Sequence, residues 1–105
     1  MAIRELLKEE LANSVRMERD YQRELARLPR GCVVKKLIRG KAYYYLAFRE
    51  EGKVRFQYQG RDMDVKKIAL HRKAKQDRIQ YRKLLSEVRK QIKFMRKALR
   101  AKQAV

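Results

Sequence analysis

Tryptophan is absent from this chain, cysteine, proline and histidine occur once each, and only four glycines fall among its 105 residues. Each scarcity excludes something. A single cysteine, Cys32, cannot build an internal disulfide framework and suits a reducing compartment. With no second cysteine and no neighbouring histidine, it assembles neither a zinc site nor a thiol nucleophile. A lone histidine, His71, within a basic helical stretch reads as structural or solvent-facing. The acids number 12 and are scattered: two form Glu50-Glu51 in a turn, and six are interspersed with basic residues before Leu28. A metal-dependent nuclease needs clustered acids, and no glycine-rich phosphate loop is present. The expectation is a protein without catalysis, metal, cofactor or small-molecule substrate.

Long hydrophobic runs are missing too. No apolar stretch approaches the roughly 20 residues of a membrane-spanning helix. The start, MAIRELLKEEL, carries charges within its apolar pattern, unlike a signal peptide. A cytoplasmic protein is expected, with residues 1–105 forming one domain of limited core.

What the chain has in excess is positive charge. Lysine and arginine number 30 against 12 acids, a net charge of +18. Self-repulsion at that density favours a polyanionic partner, and DNA or RNA is the commonest one. The charge is unevenly spread. Residues 2–28 hold six basic and six acidic residues, residues 29–60 a net +6, and residues 61–105 a net +12.

Periodicity divides the chain into two helices around a short β-region, an α+β arrangement. Ile3, Leu7, Leu11, Tyr21, Leu25 and Leu28 recur at helical spacing over residues 2–28, with Ser14 and Glu18 interrupting the seam. Pro29 and Gly31 end that helix. Residues 32–60 predict a three-stranded antiparallel meander. In its central hairpin, Lys41–Gly60, a three-residue loop with a left-handed Gly52 sets residue 48 opposite 54, 46 opposite 56 and 44 opposite 58. That register gathers Tyr44, Leu46, Phe48, Val54, Phe56 and Tyr58 on one apolar face. Tyr43, Tyr45, Ala47, Arg49, Lys53, Arg55 and Gln57 then share the other. Whether Val33/Leu37 or Val34/Ile38 faces the core stays open. Asp62 or Asp64 is a fair N-cap for a second helix over residues 63–103.

The second helix carries an apolar stripe of Ile68, Ile79, Leu85, Val88, Ile92, Met95 and Leu99, with heptad steps from Leu85 onward, as in a helical hairpin or coiled coil. At 1.5 Å per residue the first helix spans about 40 Å and the second about 60 Å. Packed antiparallel from the sheet outward, Leu25 meets Ile68, Leu7 meets Leu85 and Glu18 lies near Lys75. Val88, Ile92, Met95 and Leu99 then become an interface for another chain, a homodimer first and a heterologous protein second. Beside the seam, Arg82, Arg89, Lys93, Arg96 and Arg100 form a basic stripe, flanked by Lys83, Lys90 and Lys97. A solvated coiled-coil surface would mix signs; here only Glu87 relieves the basic residues after Asp77. A membrane-surface role is disfavoured, because the basic flank lacks tryptophan and only Leu84 and Phe94 lie off the seam.

Tyr43 and Tyr45 are surplus to a one-sided core, so they are candidates for stacking on bases or sugars. Arg49, Lys53, Arg55 and Gln57 beside them are candidates for phosphates or base edges. The stretch LPRGCVVKKLIRGKAYYYLAFREEGKVRFQYQG, Leu28–Gly60, resembles a group of small prokaryotic proteins. They share an LPxG–strand–KGxxYYYLxxREGGKVxxxYxG pattern between a helix and a charged C-terminal helix. More distantly, GKAYYYLAFREEGKVRFQYQG resembles the three-stranded arm-binding domain of phage tyrosine recombinases, which binds DNA through its sheet. That resemblance implies Tyr43, Tyr45, Arg49, Arg55 and Gln57 as contacts. Those domains have one short helix on the sheet, whereas two long ones are expected here. The leading expectation is a nucleic-acid-binding protein using a basic helix flank and a Tyr/Arg sheet face. The competing one is a small inhibitor or antitoxin-like protein of a mobile element, docking on a nucleic-acid enzyme or ribonucleoprotein.

Overall fold

The stretch from Ile3 to Arg27 contains neither glycine nor proline, and in the computed structural model it forms one uninterrupted helix, α1 (Ile3–Arg27). The structure describes residues 2–103. After α1 come β1 (Cys32–Ile38), β2 (Lys41–Glu50), β3 (Lys53–Gly60) and α2 (Val65–Gln103). The fold is α+β, with two helices flanking a three-stranded antiparallel sheet of order β1-β2-β3. Asp64 is the N-cap of α2: its carboxylate accepts a hydrogen bond from the Lys66 amide at 3.0 Å, satisfying one of the helix's free donors. The chain divides into two compact units, Met1–Arg27 with Ile79–Val105, and Leu28–Arg78.

The first unit is an antiparallel helical hairpin. Its register reads off three contacts: the Tyr21 and Tyr81 rings lie 6.1 Å apart, Arg89 meets Glu18 at 3.0 Å, and Arg4 donates to the Leu99 carbonyl at 3.2 Å. Leu85, Val88 and Ile92 form the buried seam, with Leu11, Val15, Tyr21 and Leu25 packed against it. This corrects the expected register by about three to four turns of α2. Glu18 meets Arg89 rather than Lys75, and Leu25 packs on the Leu85 cluster rather than beside Ile68. The reason is that the first turns of α2 belong with the sheet. The remaining 79–103 stretch matches α1 in length, so no bare stripe runs past its end. Val88, Ile92 and Met95 are 3%, 4% and 8% exposed, and Leu99 is half-buried. The expected interface for a second chain is therefore covered from within.

In the second unit both connections are two-residue turns with positive φ at each position. Arg39 and Gly40 have φ of 54° and 77°, and Glu51 and Gly52 have 52° and 76°. Such turns match the twist of antiparallel strands, and glycine at the second position avoids the Cβ clash there. The tighter second turn overturns the expected three-residue loop and shifts the pairing by one residue. Glu50 pairs with Lys53, Phe48 with Arg55, Leu46 with Gln57 and Tyr45 with Tyr58.

A one-residue shift exchanges the faces of a strand. Val54, Phe56 and Tyr58 accordingly share a face with Arg49, Ala47 and Tyr45, not with Leu46. Lys53, Arg55 and Gln57 move to the face of Leu46 and Phe48. On β1 neither expected pair is buried as a whole: Val33 pairs with the buried Leu46 and Val34 with Tyr45, both half-buried, while Leu37 opposite Ala42 and Ile38 opposite Lys41 are 70% and 50% exposed. Leu46 is the buried residue of the sheet, and we call its face the inner one. Met63, His71 and Ala74 supply the other buried side chains of this unit.

Candidate nucleic-acid interface

Direct pairing across β1, β2 and β3 places Lys36, Tyr43, Tyr45, Phe56 and Tyr58 on the outer face, where Phe56 and Tyr58 are 54% and 52% exposed. Near its end the β2–β3 ladder shifts register between Tyr44 and Tyr45: Tyr44 pairs with Gly60 and Tyr45 with Tyr58. The bulged Gln59 is held by Lys67, whose ammonium donates to its side-chain oxygen at 2.9 Å. Rings from two strands then meet: Tyr45 and Tyr58 lie 5.3 Å apart at a 53° tilt, and Tyr43 and Tyr58 6.4 Å apart at 39°. These are the offset and tilted arrangements that aromatic pairs favour.

Cations sit on this cluster. The Lys36 ammonium lies 5.0 Å from the Tyr45 ring centre and 4.8 Å from that of Phe56. The Arg61 guanidinium lies 6.0 Å from Tyr43. Both are within the range where a ring quadrupole attracts a positive charge. Arg49 stands exposed on the same face nearer the turn. Sequence reasoning missed Lys36, Phe56, Tyr58 and Arg61. The signal available was the Glu-Gly pair at 51–52, which can form a two-residue turn.

Of the sheet residues expected to act together, Tyr43, Tyr45 and Arg49 share the outer face. Lys53, Arg55 and Gln57 do not join them. Arg55 instead meets Glu50 at 3.5 Å on the inner face, which reduces its free charge. Also on that side, the Arg30 guanidinium lies 5.6 Å from the Phe48 ring centre and donates to the Arg49 carbonyl at 2.6 Å.

The helical unit carries a second candidate surface. Arg82, Arg89, Lys93, Arg96 and Arg100 are all exposed. They line two shallow grooves of about 400 and 380 Å³ that share Arg89 and Lys93. Glu18 pairs with Arg89 and neutralises part of the stripe there. A third groove on this unit, of about 520 Å³, is lined by Leu6, Leu7, Phe94 and Met95, together with Glu10 and Lys90.

His71 is buried, and its Nδ1 finds no hydrogen-bond partner among the described residues. Among those residues no three or more His, Cys, Asp or Glu side chains are grouped so as to hold a metal ion, and no helix is long and apolar enough to cross a membrane.

The profile of the family described as "Domain of unknown function (DUF6788)" matches residues 2–68, and the chain belongs to that family. The matched span holds α1, the whole sheet and the first turn of α2, while the basic stripe from Arg82 onward lies beyond it. No curated protein and no solved structure matches the chain.

Proposed function

We propose that this member of the DUF6788 family is a non-enzymatic nucleic-acid-binding protein whose sheet presents aromatic rings and cations on one open face. The observation that carries this reading is the outer cluster of Tyr43, Tyr45, Phe56 and Tyr58, crossed by Lys36 and Arg61. Exposed rings offer flat surfaces to bases or sugars, and adjacent ammonium and guanidinium groups offer contacts to phosphate. A net charge of +18 supplies long-range attraction to a polyanion, to which Arg82, Lys93, Arg96 and Arg100 contribute.

Titration of a labelled oligonucleotide at increasing salt tests this. With about five phosphates neutralised, log K falls against log salt with a slope near −4.5 on a duplex or −3.5 on a single strand. A flat response would remove nucleic acid as the partner.

A second reading, an interaction protein of the inhibitor or antitoxin type, is favoured by the groove at Leu6 and Phe94. Phe94 is 70% exposed, and such a side chain beside an open apolar groove suits a docking segment. On this reading the charge-neutral Phe94→Ser abolishes capture of the protein partner and leaves oligonucleotide affinity unchanged. Size-exclusion with light scattering separates self-association through this groove from a heterologous partner.

A further inference from the structure

We infer that the outer face of the sheet binds single-stranded nucleic acid by stacking on unpaired bases, and does not read base-pair edges in a duplex groove. This rests on the nucleic-acid-binding reading and specifies the form of the ligand.

The chemistry available on that face favours stacking. Base edges are read chiefly by Arg, Lys, Asn and Gln side chains free to project from the middle of the reading element. The two-residue turn at Glu51-Gly52 sets the register that carries Arg55 and Gln57 to the inner face. In their place β3 presents Val54, Phe56 and Tyr58, and the middle of β2 presents Tyr43, Tyr45 and Ala47. Arg49 is the forked side chain of β2 on this side, and it stands beside the turn. The face is rich in ring surface, and its remaining cations, Lys36 and Arg61, lie over those rings.

The spacing of the rings favours a single strand. Phe56 and Tyr58 are two residues apart on one strand, an advance of about 6.6 Å. Successive bases stacked in a duplex advance about 3.4 Å along each strand. Neighbouring rings therefore meet successive bases only when the strand is drawn out and its bases are splayed apart. A single strand adopts that conformation, whereas a duplex must first lose its pairing.

The cations are placed to follow an incoming nucleotide. Lys36 bridges the Tyr45 and Phe56 rings on a flexible stem. A base arriving on either ring displaces the ammonium, which then meets the phosphate of the nucleotide it has admitted. Arg61 stands in the same relation to Tyr43.

The test uses a short labelled oligothymidine strand, alone and annealed to its complement, at one salt concentration. The single strand is expected to bind at least about tenfold more tightly than the duplex. The double variant Phe56→Leu/Tyr58→Leu keeps apolar bulk at two exposed positions. It should lose about tenfold or more in single-strand affinity, with duplex affinity within about twofold of the parent. Matching circular dichroism melts show that the variant is folded. Duplex binding equal to or tighter than single-strand binding would overturn the stacking inference while leaving nucleic-acid binding intact. Binding of neither ligand would overturn both.

Discussion

Leu85, Val88, Ile92 and Met95 on α2 and Val54, Phe56 and Tyr58 on β3 are both regular apolar series, and each alternates with basic or polar residues. Their fates are opposite. The helical series is less than a tenth exposed, covered by α1, whereas each residue of the strand series is more than half exposed. Apolar periodicity reports that one side of an element differs from the other. Whether that side becomes core depends on what the rest of the chain brings against it. On the helix the cover is Leu11, Val15, Tyr21 and Leu25. On β3 the turn directs the apolar set outward, where aromatic side chains are free to meet a ligand.

Substitutions that treat the two series alike separate them most widely. Ile92→Ala removes a buried side chain from the helical seam and should cost about 2–4 kcal/mol of stability by chemical denaturation. Val54→Thr, at an exposed strand position, should stay within about 0.5 kcal/mol. If the two changes cost the same, the contrast between covered and open stripes is lost.

The next effect is on ligand binding. Tyr58→Ala should weaken oligonucleotide binding by about 1–3 kcal/mol, measured by fluorescence anisotropy well below the variant's melting temperature. Gln57→Ala, the neighbouring residue on the other face, should leave affinity unchanged.

The turn that creates the contrast can itself be perturbed. Gly52→Ala places a Cβ at φ 76° and should destabilise the protein by about 1–2 kcal/mol in thermal melts. Glu51→Asn suits the same turn better and should stabilise it modestly. The smallest effect concerns the hairpin's ion pair. Glu18→Gln removes the partner of a half-exposed Arg89 and should cost a few tenths of a kcal/mol, vanishing at high salt.

The helices and the order of the strands were legible in sequence because their signals are local. Alternation marked β2 and β3, and Pro29 and Gly31 marked the end of α1. The face of β3 was not legible, because it hangs on one residue of loop length. Glu51 in a left-handed conformation is less usual than the glycine beside it, so residue preference alone favours the longer loop. The same one-residue difference decided which site residues came together. Tyr43, Tyr45 and Arg49 kept their face, while Lys53, Arg55 and Gln57 exchanged places with Val54, Phe56 and Tyr58. The helix register failed for a different reason. Periodicity places a stripe on α2 but does not say where along it α1 begins, and the sheet takes up the first turns.

On the proposed function, the ring-bearing outer face, not the Arg55–Gln57 face, is where nucleic acid binds. Side-chain NMR during titration with a single-stranded oligonucleotide tests it most directly. Bases stacked on the sheet should move the ring protons of Phe56 and Tyr58 upfield, with Gln57 side-chain amide and Arg55 Nε signals unmoved. Shifts confined to Gln57 and Arg55, with the Phe56 and Tyr58 rings unaffected, would contradict it.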